Sequence, residues 1–313
     1  MALERIAGGQ SNPTYFVTYP TRRMVMRKQP SGPVLPSAHA VDREHRIMTA
    51  LARTDVPVPR TLAFCEDSSL IGTPFYVMER VEGRVFADCA LPGVSPTDRR
   101  EMYLDMARIL ARLHQVDWNK IGLEGYGREG GYFKRQIKRW AKQWELSKTR
   151  DIPDIDHLVR WLGENVPLDD VTRISHGDFR IGNMIFHPSE PRIVAVLDWE
   201  LSTLGHPLAD LAYSALGWRL GTNEYMGMRD LDLAALGIPA EQDYLAEYYA
   251  AAPGSGHLGA FHTALSLFRL AVIFEGIAAR AKTGAATSDN AADVGRLSSA
   301  FARRAVEAID AGD

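Results

Sequence analysis

The sequence predicts an α+β protein of two lobes: a small β-rich lobe over residues 1–81 and a larger, mainly helical lobe over residues 82–313. Three observations predict it. Up to Val81 the apolar residues come in short aromatic and β-branched runs broken by turn residues, as in strands. From Glu82-Gly83 onward they recur at three- and four-residue spacing, as in amphipathic helices. Inside that helical half lies one exception, Ser175–Asp210, where two apolar runs flank a polar turn.

Residues 4–28 read as strand, glycine-containing loop, strand, turn and strand. The loop is Gly8-Gly9-Gln10-Ser11-Asn12, and Tyr15–Tyr19 and Met24–Arg27 flank the Pro20-Thr21 turn. A glycine-containing hairpin tip can lay backbone N–H groups over phosphates, although most such tips are only turns. Residues 29–37, rich in proline, form a loop in which Ser37 can cap the next helix. Val41, Ile47, Met48 and Leu51 follow helical spacing, with Glu44 in the middle. Asp55-Val56-Pro57-Val58-Pro59 ends that helix, because proline cannot continue it and restricts its predecessor. Thr61–Cys65 and Pro74–Val81 complete about five strands with one helix. The join falls near Arg80–Gly83, and ligands often bind between domains.

Ser95-Pro96-Thr97-Asp98 is a helix start, with a capping serine, proline at the first position and an acid three after the cap. Further helices are expected at about 131–148, 154–165, 207–218, 241–252, 258–282 and 290–309. The ribbon comprises Met184–Phe186 and Ile193–Leu197 around the turn His187–Arg192. Phe261–Ala279 is strongly apolar but carries Arg269 and Glu275, and reads as a buried core helix rather than a membrane span.

Hydrophobic content of 46% and charged content of 24% are ordinary for a soluble globular chain. A net charge of −3 argues against a nucleic-acid binder driven by overall charge. Met1–Gly9 has no apolar run of signal-peptide length, and Cys65 and Cys89 have no motif spacing. A cytoplasmic protein with reduced thiols, and with neither nucleic-acid nor membrane partner, is therefore expected.

The chemistry is carried by Asp178, Asn183 and Asp198, which fall at one end of the ribbon. Oxygen side chains converging from a loop and a strand end suit Mg²⁺ and phosphate chemistry. Singly, each has a plainer reading. Asp178 or Asp198 can serve a turn, His176 can be a core histidine holding the loop, and Asp210 can be a buried acid bracing it. Glu200 reads equally as a carboxylate beside the site or a solvated one. Order and spacing decide. His176-Gly177-Asp178-Phe179-Arg180-Ile181-Gly182-Asn183 fits H-R-D-L-x-x-x-N, and Asp198-Trp199 follows the hairpin where kinases place D-F-G.

This pattern resembles the protein-kinase-like phosphotransferases, and specifically the aminoglycoside phosphotransferase family, marked by H-G-D-x-x-x-x-N with a later D-W or D-F. G-G-Q-S-N-P-T-Y, S-A-H-A-V-D-R-E, V-P-V-P-R, G-T-P-F-Y-V-M-E and L-D-W-E-L-S-T-L-G-H-P-L-A-D look most like the branch that includes the kinase-like domain fused to some acyl-CoA dehydrogenases. The resemblance implies a two-lobed protein-kinase-like fold, ATP and Mg²⁺ in the cleft, and phosphoryl transfer to the hydroxyl of a small-molecule acceptor. By the same resemblance Asp178 is the base, Arg180 approaches the γ-phosphate, and Asn183 and Asp198 hold Mg²⁺. Arg27 contacts the α- and β-phosphates with Glu44 as its helix partner. Strand alternation lets Val25 and Arg27 face the cleft while Lys28 points away. Gly9, Gln10, Ser11 and Asn12 form the phosphate loop, and backbone groups of Glu79 and Val81 meet adenine.

Three departures stand out. There is no G-x-G-x-x-G, arginine replaces lysine at position 27, and Gly177 replaces the arginine of H-R-D. That arginine reads a phosphorylated activation loop in protein kinases, so its absence predicts a site assembled constitutively. The Asp198–Asp210 segment is also too short to dock a peptide.

The acceptor stays open at this level. Arg128–Arg150 is strongly basic, with Tyr132, Phe133, Trp140 and Trp144 interleaved. It reads either as a helix with a core-facing aromatic stripe and a solvated basic face, or as a surface for an anionic acceptor such as a hydroxyacyl-CoA. Asp151, Asp154, Asp156, Asp169 and Asp170 keep a cationic aminoglycoside or amino-sugar acceptor in view. A non-catalytic nucleotide-binding module is disfavoured by the joint presence of Asp178, Asn183 and Asp198. A phosphohydrolase with Asp178 as nucleophile is disfavoured because Arg180 stands where a second aspartate is needed.

Overall fold

The computed structural model describes residues 1–6, 12–32, 40–282 and 291–312, with side chains left undescribed at 291–294. Gly9, Gln10, Ser11 and Ser37 lie outside the described residues.

The N-terminal part is a five-stranded antiparallel sheet. It contains β1 (Ala2–Arg5), β2 (Thr14–Tyr19), β3 (Arg22–Lys28), β4 (Thr61–Cys65) and β5 (Phe75–Glu79), in the order β1-β2-β3-β5-β4. Helix α1 (Val41–Leu51) buries Ile47, Met48 and Leu51 at the spacing that predicts it, and Ala40 holds its cap position. A short α2 (Ser68–Ile71) is additional to the one helix expected here. Asp67 starts it by accepting the Ser69 N–H, and Gly72 ends it at φ +87°. It is too short to show a periodic apolar face.

The C-terminal part is mainly helical, so the chain is α+β and two-lobed. Helix α3 (Pro96–Gln115) starts where its sequence says, with Ser95 accepting the Asp98 N–H. It is followed by α4 (Tyr132–Ser147) and α5 (Pro153–Glu164). Four short strands come next: β6 (Arg173–Ser175), β7 (Met184–Phe186), β8 (Ile193–Val196) and β9 (Thr203–Gly205). β7 pairs with β8 as expected, and β6 pairs with β9, which brackets the ribbon. The chain ends with α6 (Pro207–Ala215), α7 (Leu233–Leu236), α8 (Glu241–Ala251), α9 (Ala260–Lys282) and α10 (Ala291–Ala311).

Two apolar cores hold this together. One joins sheet, α1, α3 and ribbon through Val25, Ile47, Tyr76, Met106, Phe186 and Val196. The other joins α4, α5, α9 and α10 through Trp144, Leu158, Phe268 and Phe301. The charges inside α9 are explained by partners. Buried Glu275 accepts from Thr149 (2.6 Å) and Arg150 (3.0 Å). No helix among the described residues is long and apolar enough to cross a membrane.

The sheet is tied to the ribbon by backbone. Arg84 and Phe186 exchange N–H···O bonds of 2.8 and 2.9 Å, and the Val196 N–H donates to the Pro57 carbonyl at 2.9 Å. Gly83 permits this approach, since a Cβ there would lie 2.2 Å from the Phe186 carbonyl oxygen.

Candidate active site

A cavity of about 1120 Å³ is lined by Asn12, Arg27, Glu79 and Val81 from the N-terminal part and by Asp178, Arg180, Asn183 and Asp198 from the ribbon end. The fold thus gathers the described candidate residues around one space, with Glu44 one layer behind.

On the sheet side, β3 carries Arg27 into a cluster of acids. Its Nε lies 2.9 Å from Glu44 Oε2, and one terminal nitrogen lies 2.8 Å from Asp198 Oδ1 and 3.4 Å from Glu200 Oε2. Glu44 is 1% exposed and accepts further bonds from the Tyr76 hydroxyl (2.9 Å) and the Asn12 amide (2.6 Å). Burial pushes its carboxyl up to about 7 against the pull of Arg27 and Tyr76. Burial works against the Arg27 charge, but Glu44, Asp198 and Glu200 outweigh it and hold the guanidinium above its ordinary range. Lys28 points away from the cavity, and its Nζ meets the Ile71 carbonyl at 3.1 Å. The Glu79 N–H is committed to the Arg60 carbonyl at 2.9 Å, so any adenine contact there falls to the Glu79 carbonyl.

On the ribbon side, the loop before β7 is fixed from α6. Asp210 on α6 is buried, and its carboxylate accepts from the His176 N–H (2.5 Å), the Gly177 N–H (2.9 Å) and the Ser175 hydroxyl (2.9 Å). Burial raises this carboxyl, but His114, His176 and the Gly177 N–H outweigh it and hold Asp210 below the usual carboxylate range. His176 is fully buried; its Nε2 donates to the Leu197 carbonyl (2.9 Å) and its Nδ1 accepts the Asp178 N–H (3.2 Å). Its role is to brace the loop.

The Asp178 carboxylate is 18% exposed. Oδ2 accepts from Asn183 (2.7 Å) and from Arg180 Nε (3.3 Å), and Oδ1 accepts from the Tyr213 hydroxyl (2.5 Å). The Leu197 N–H donates to the Asn183 carbonyl (2.8 Å), which ties this loop to the strand end bearing Asp198. Asp198 sits in the left-handed region at φ +65°, where aspartate is among the tolerated residues. Such conformations concentrate at ligand sites.

The basic segment does not reach the cavity, as no residue of 128–150 lines it. Arg135 instead satisfies the Gly130 and Arg128 carbonyls ahead of α4, and Arg139 stacks on Trp140 at 5.1 Å. Phe133, Ile137 and Trp144 face the core, so this is an aromatic-striped helix with a solvated basic face. The acidic residues invoked for a cationic acceptor are also elsewhere. Asp156 accepts from the Trp144 indole and Asp170 from the Gly131 N–H. In their place the cavity is lined by Arg269, Leu270, Ile273, Phe274 and Ile277 of α9 and by residues 222–225. The sequence pattern offered no signal for Tyr213 or for this α9 wall beyond the spacing of Tyr213 three residues after Asp210.

Residues 2–250 match the model of the phosphotransferase enzyme family. Among curated relatives, acyl-CoA dehydrogenase family member 10 of Mus musculus is 44% identical over 97% of this chain, and family member 11 of Gallus gallus is 40% identical over 98%. The chain spans only 29% and 40% of the lengths of these two proteins. Among solved structures, a Ralstonia eutropha protein provisionally named an aminoglycoside phosphotransferase is 44% identical, with a TM-score of 0.92 over 100% of this chain and 93% of its own. A thermostable mutant of the aminoglycoside phosphotransferase APH(4)-Ia, solved with AMP-PNP and hygromycin B, shares the fold at 17% identity, with a TM-score of 0.62 over 97% of this chain and 94% of its own. The chain belongs to the phosphotransferase enzyme family, that of the aminoglycoside phosphotransferases.

Proposed function

We propose that this chain is a small-molecule kinase that transfers the γ-phosphoryl group of ATP to a hydroxyl of a small acceptor. The observation that carries the reading is the convergence of Asp178, Asn183, Asp198 and Arg27 on one cavity. Residues 1–81 then form the nucleotide-binding lobe, and residues 82–313 supply the catalytic loop and acceptor site.

The donor set fits Mg²⁺. Asn183 and Asp198 offer hard oxygens, and Mg²⁺ is ordinarily held by one or two protein groups together with phosphates and water. Bound there, Mg²⁺ would neutralise charge on the phosphate oxygens.

The chain's own groups do the rest. Asp178 orients the acceptor hydroxyl and takes its proton. As the acceptor oxygen bonds to the γ-phosphorus, the bond from that phosphorus to its bridging oxygen breaks and ADP leaves. Arg180 and Arg27 place positive charge beside the phosphates, where the transition state spreads negative charge. Glu44 holds Arg27 in place. The Glu79 carbonyl and the Val81 backbone serve adenine, and Asn12 belongs to the phosphate-loop segment together with Gly9, Gln10 and Ser11.

The wall from α9 bears on the acceptor. Apolar Leu270, Ile273, Phe274 and Ile277 suit an acceptor that carries a hydrocarbon segment, such as a hydroxyacyl-CoA. An apolar wall suits a polycationic aminoglycoside less well. The names of the curated relatives are compatible with this and do not specify an acceptor. An ATP-consumption screen of the purified protein against hydroxyacyl-CoAs, aminoglycosides, sugars and amino alcohols tests it, with transfer expected to the first class. Asp178→Ala should lower turnover by roughly 10²-fold or more while Mg-ATP still binds. Persistent turnover would refute the base assignment.

A further inference from the structure

A base that must meet an unseen hydroxyl at one angle needs its carboxylate plane fixed, and α6 does this from a single face. Asp210 and Tyr213 are three residues apart, so they project together from adjacent turns. Asp210 grips the Ser175 hydroxyl and the backbone N–H groups of His176 and Gly177. One turn on, the Tyr213 hydroxyl donates to Asp178 Oδ1 at 2.5 Å. Helix α9 closes the arrangement. The Arg269 guanidinium lies 5.4 Å from the Tyr213 ring centre and 5.8 Å from that of Trp140, and it donates to the Gly177 carbonyl at 2.8 Å.

We propose that Tyr213, seated by Arg269, is a positioning residue that locks the orientation of the Asp178 carboxylate; this rests on the kinase reading above. With Asn183 and Arg180 on Oδ2 and Tyr213 on Oδ1, rotation of the carboxylate breaks bonds on both oxygens. A carboxylate offers about four acceptor directions, so Oδ1 keeps one for the acceptor hydroxyl. Tyr213 is 4% exposed, and burial with the Asp178 charge beside it raises its phenol well above the ordinary range, so it remains a donor at working pH. A buried phenol needs some partner. Here the hydroxyl donates to the proposed base, with Tyr225 also in hydrogen-bonding reach of it, and the neighbouring cation anchors the same loop.

The test needs no known acceptor, because water can take the phosphoryl group. ATP hydrolysis, Mg-ATP affinity by calorimetry and the melting temperature would be measured for wild type, Asp178→Ala, Tyr213→Phe and Arg269→Lys. Tyr213→Phe keeps the ring and removes only the hydroxyl. It should lower turnover about 10- to 100-fold, with Mg-ATP affinity changed less than about twofold. Arg269→Lys should give a smaller loss of the same kind. Should the phenylalanine variant melt early, single-turnover measurements well below its midpoint compare folded proteins. If Asp178→Ala abolishes hydrolysis while Tyr213→Phe turns over like wild type, the positioning role is wrong and the kinase reading stands. If Tyr213→Phe weakens turnover and nucleotide affinity in equal measure, the residue is merely structural and the proposal again fails. A wild-type protein that neither binds nor hydrolyses Mg-ATP overturns the kinase reading, and this inference with it.

Discussion

Replacing Arg27 with methionine tests the acid cluster at the floor of the cavity. The methionine fills much of the same volume but leaves Glu44, Asp198 and Glu200 without the cation that touches all three. Removing one side of a buried pair costs about 3–5 kcal/mol, because the partner is stranded. The lower end applies here. Asp198 and Glu200 keep 31% and 22% side-chain exposure, so water screens them, and Glu44 can take a proton. That proton gives the effect a pH signature. The Glu44 carboxyl, ordinarily near 4.5, is raised to about 7, so between these values the folded protein binds the proton more tightly than the unfolded chain. Stability therefore falls as pH rises through that window, by at most about 1.4 kcal/mol per pH unit. Arg27 limits the rise, so in Arg27→Met the window extends upward. Wild type should level off above about pH 7, whereas the variant should keep losing stability. Urea midpoints from pH 5 to 9 at fixed ionic strength read this directly, with a deficit near 3 kcal/mol at pH 8 and a smaller one at pH 5. Curves that run parallel would refute the coupling of Glu44 to Arg27. In the same variant Mg-ATP should bind about 10- to 100-fold more weakly, the loss of one charge-assisted contact.

Asp198→Ala should weaken Mg-ATP affinity at least about tenfold by calorimetry, and an unchanged affinity would count against its metal role. Arg135→Ala should leave KM for both substrates unchanged and lower stability by about 1 kcal/mol, since it satisfies loop carbonyls and not a ligand. Asp210→Asn turns an acceptor-only group into one that presents an amide to N–H donors, and should cost about 2–4 kcal/mol along with much of the turnover. The contribution of the native Asp210 is present above the ordinary carboxylate range and is lost as pH falls through its depressed value, so the variant's deficit should shrink in acid.

What was legible in the sequence was whatever has a local spacing. The ribbon, the Ser95 cap, the sheet's later strands and the order Asp178, Asn183, Asp198 all sit within a few residues of their physical cause. The Arg27–Glu44 pair came through resemblance, and its third and fourth partners, Asp198 and Glu200, did not, because contacts across 171 and 173 residues leave no periodic trace. The two readings of the basic helix stayed open for a related reason. Charge density along a segment says nothing about which face meets a cavity, and the cations there are spent on solvent, carbonyls, an indole and the carboxylates of Glu145 and Glu275. The cavity wall came instead from α9, whose Arg269 and Glu275 looked only like interruptions of an apolar run.

Gly177 shows how one position shapes the loop before β7. Its φ is +85°, and a Cβ there would lie 2.8 Å from the Leu201 carbonyl oxygen. Both conditions exclude the arginine that stands here in H-R-D, independently of any preference for its charge. The polar groups beside it are engaged within the fold. The Gly177 N–H is on Asp210, its carbonyl is on Arg269, and Asp178 is held from Tyr213. These partners come from α6 and α9, both rooted in packed core. Gly177→Arg should therefore disrupt the loop, and a melting temperature unchanged from wild type would refute this.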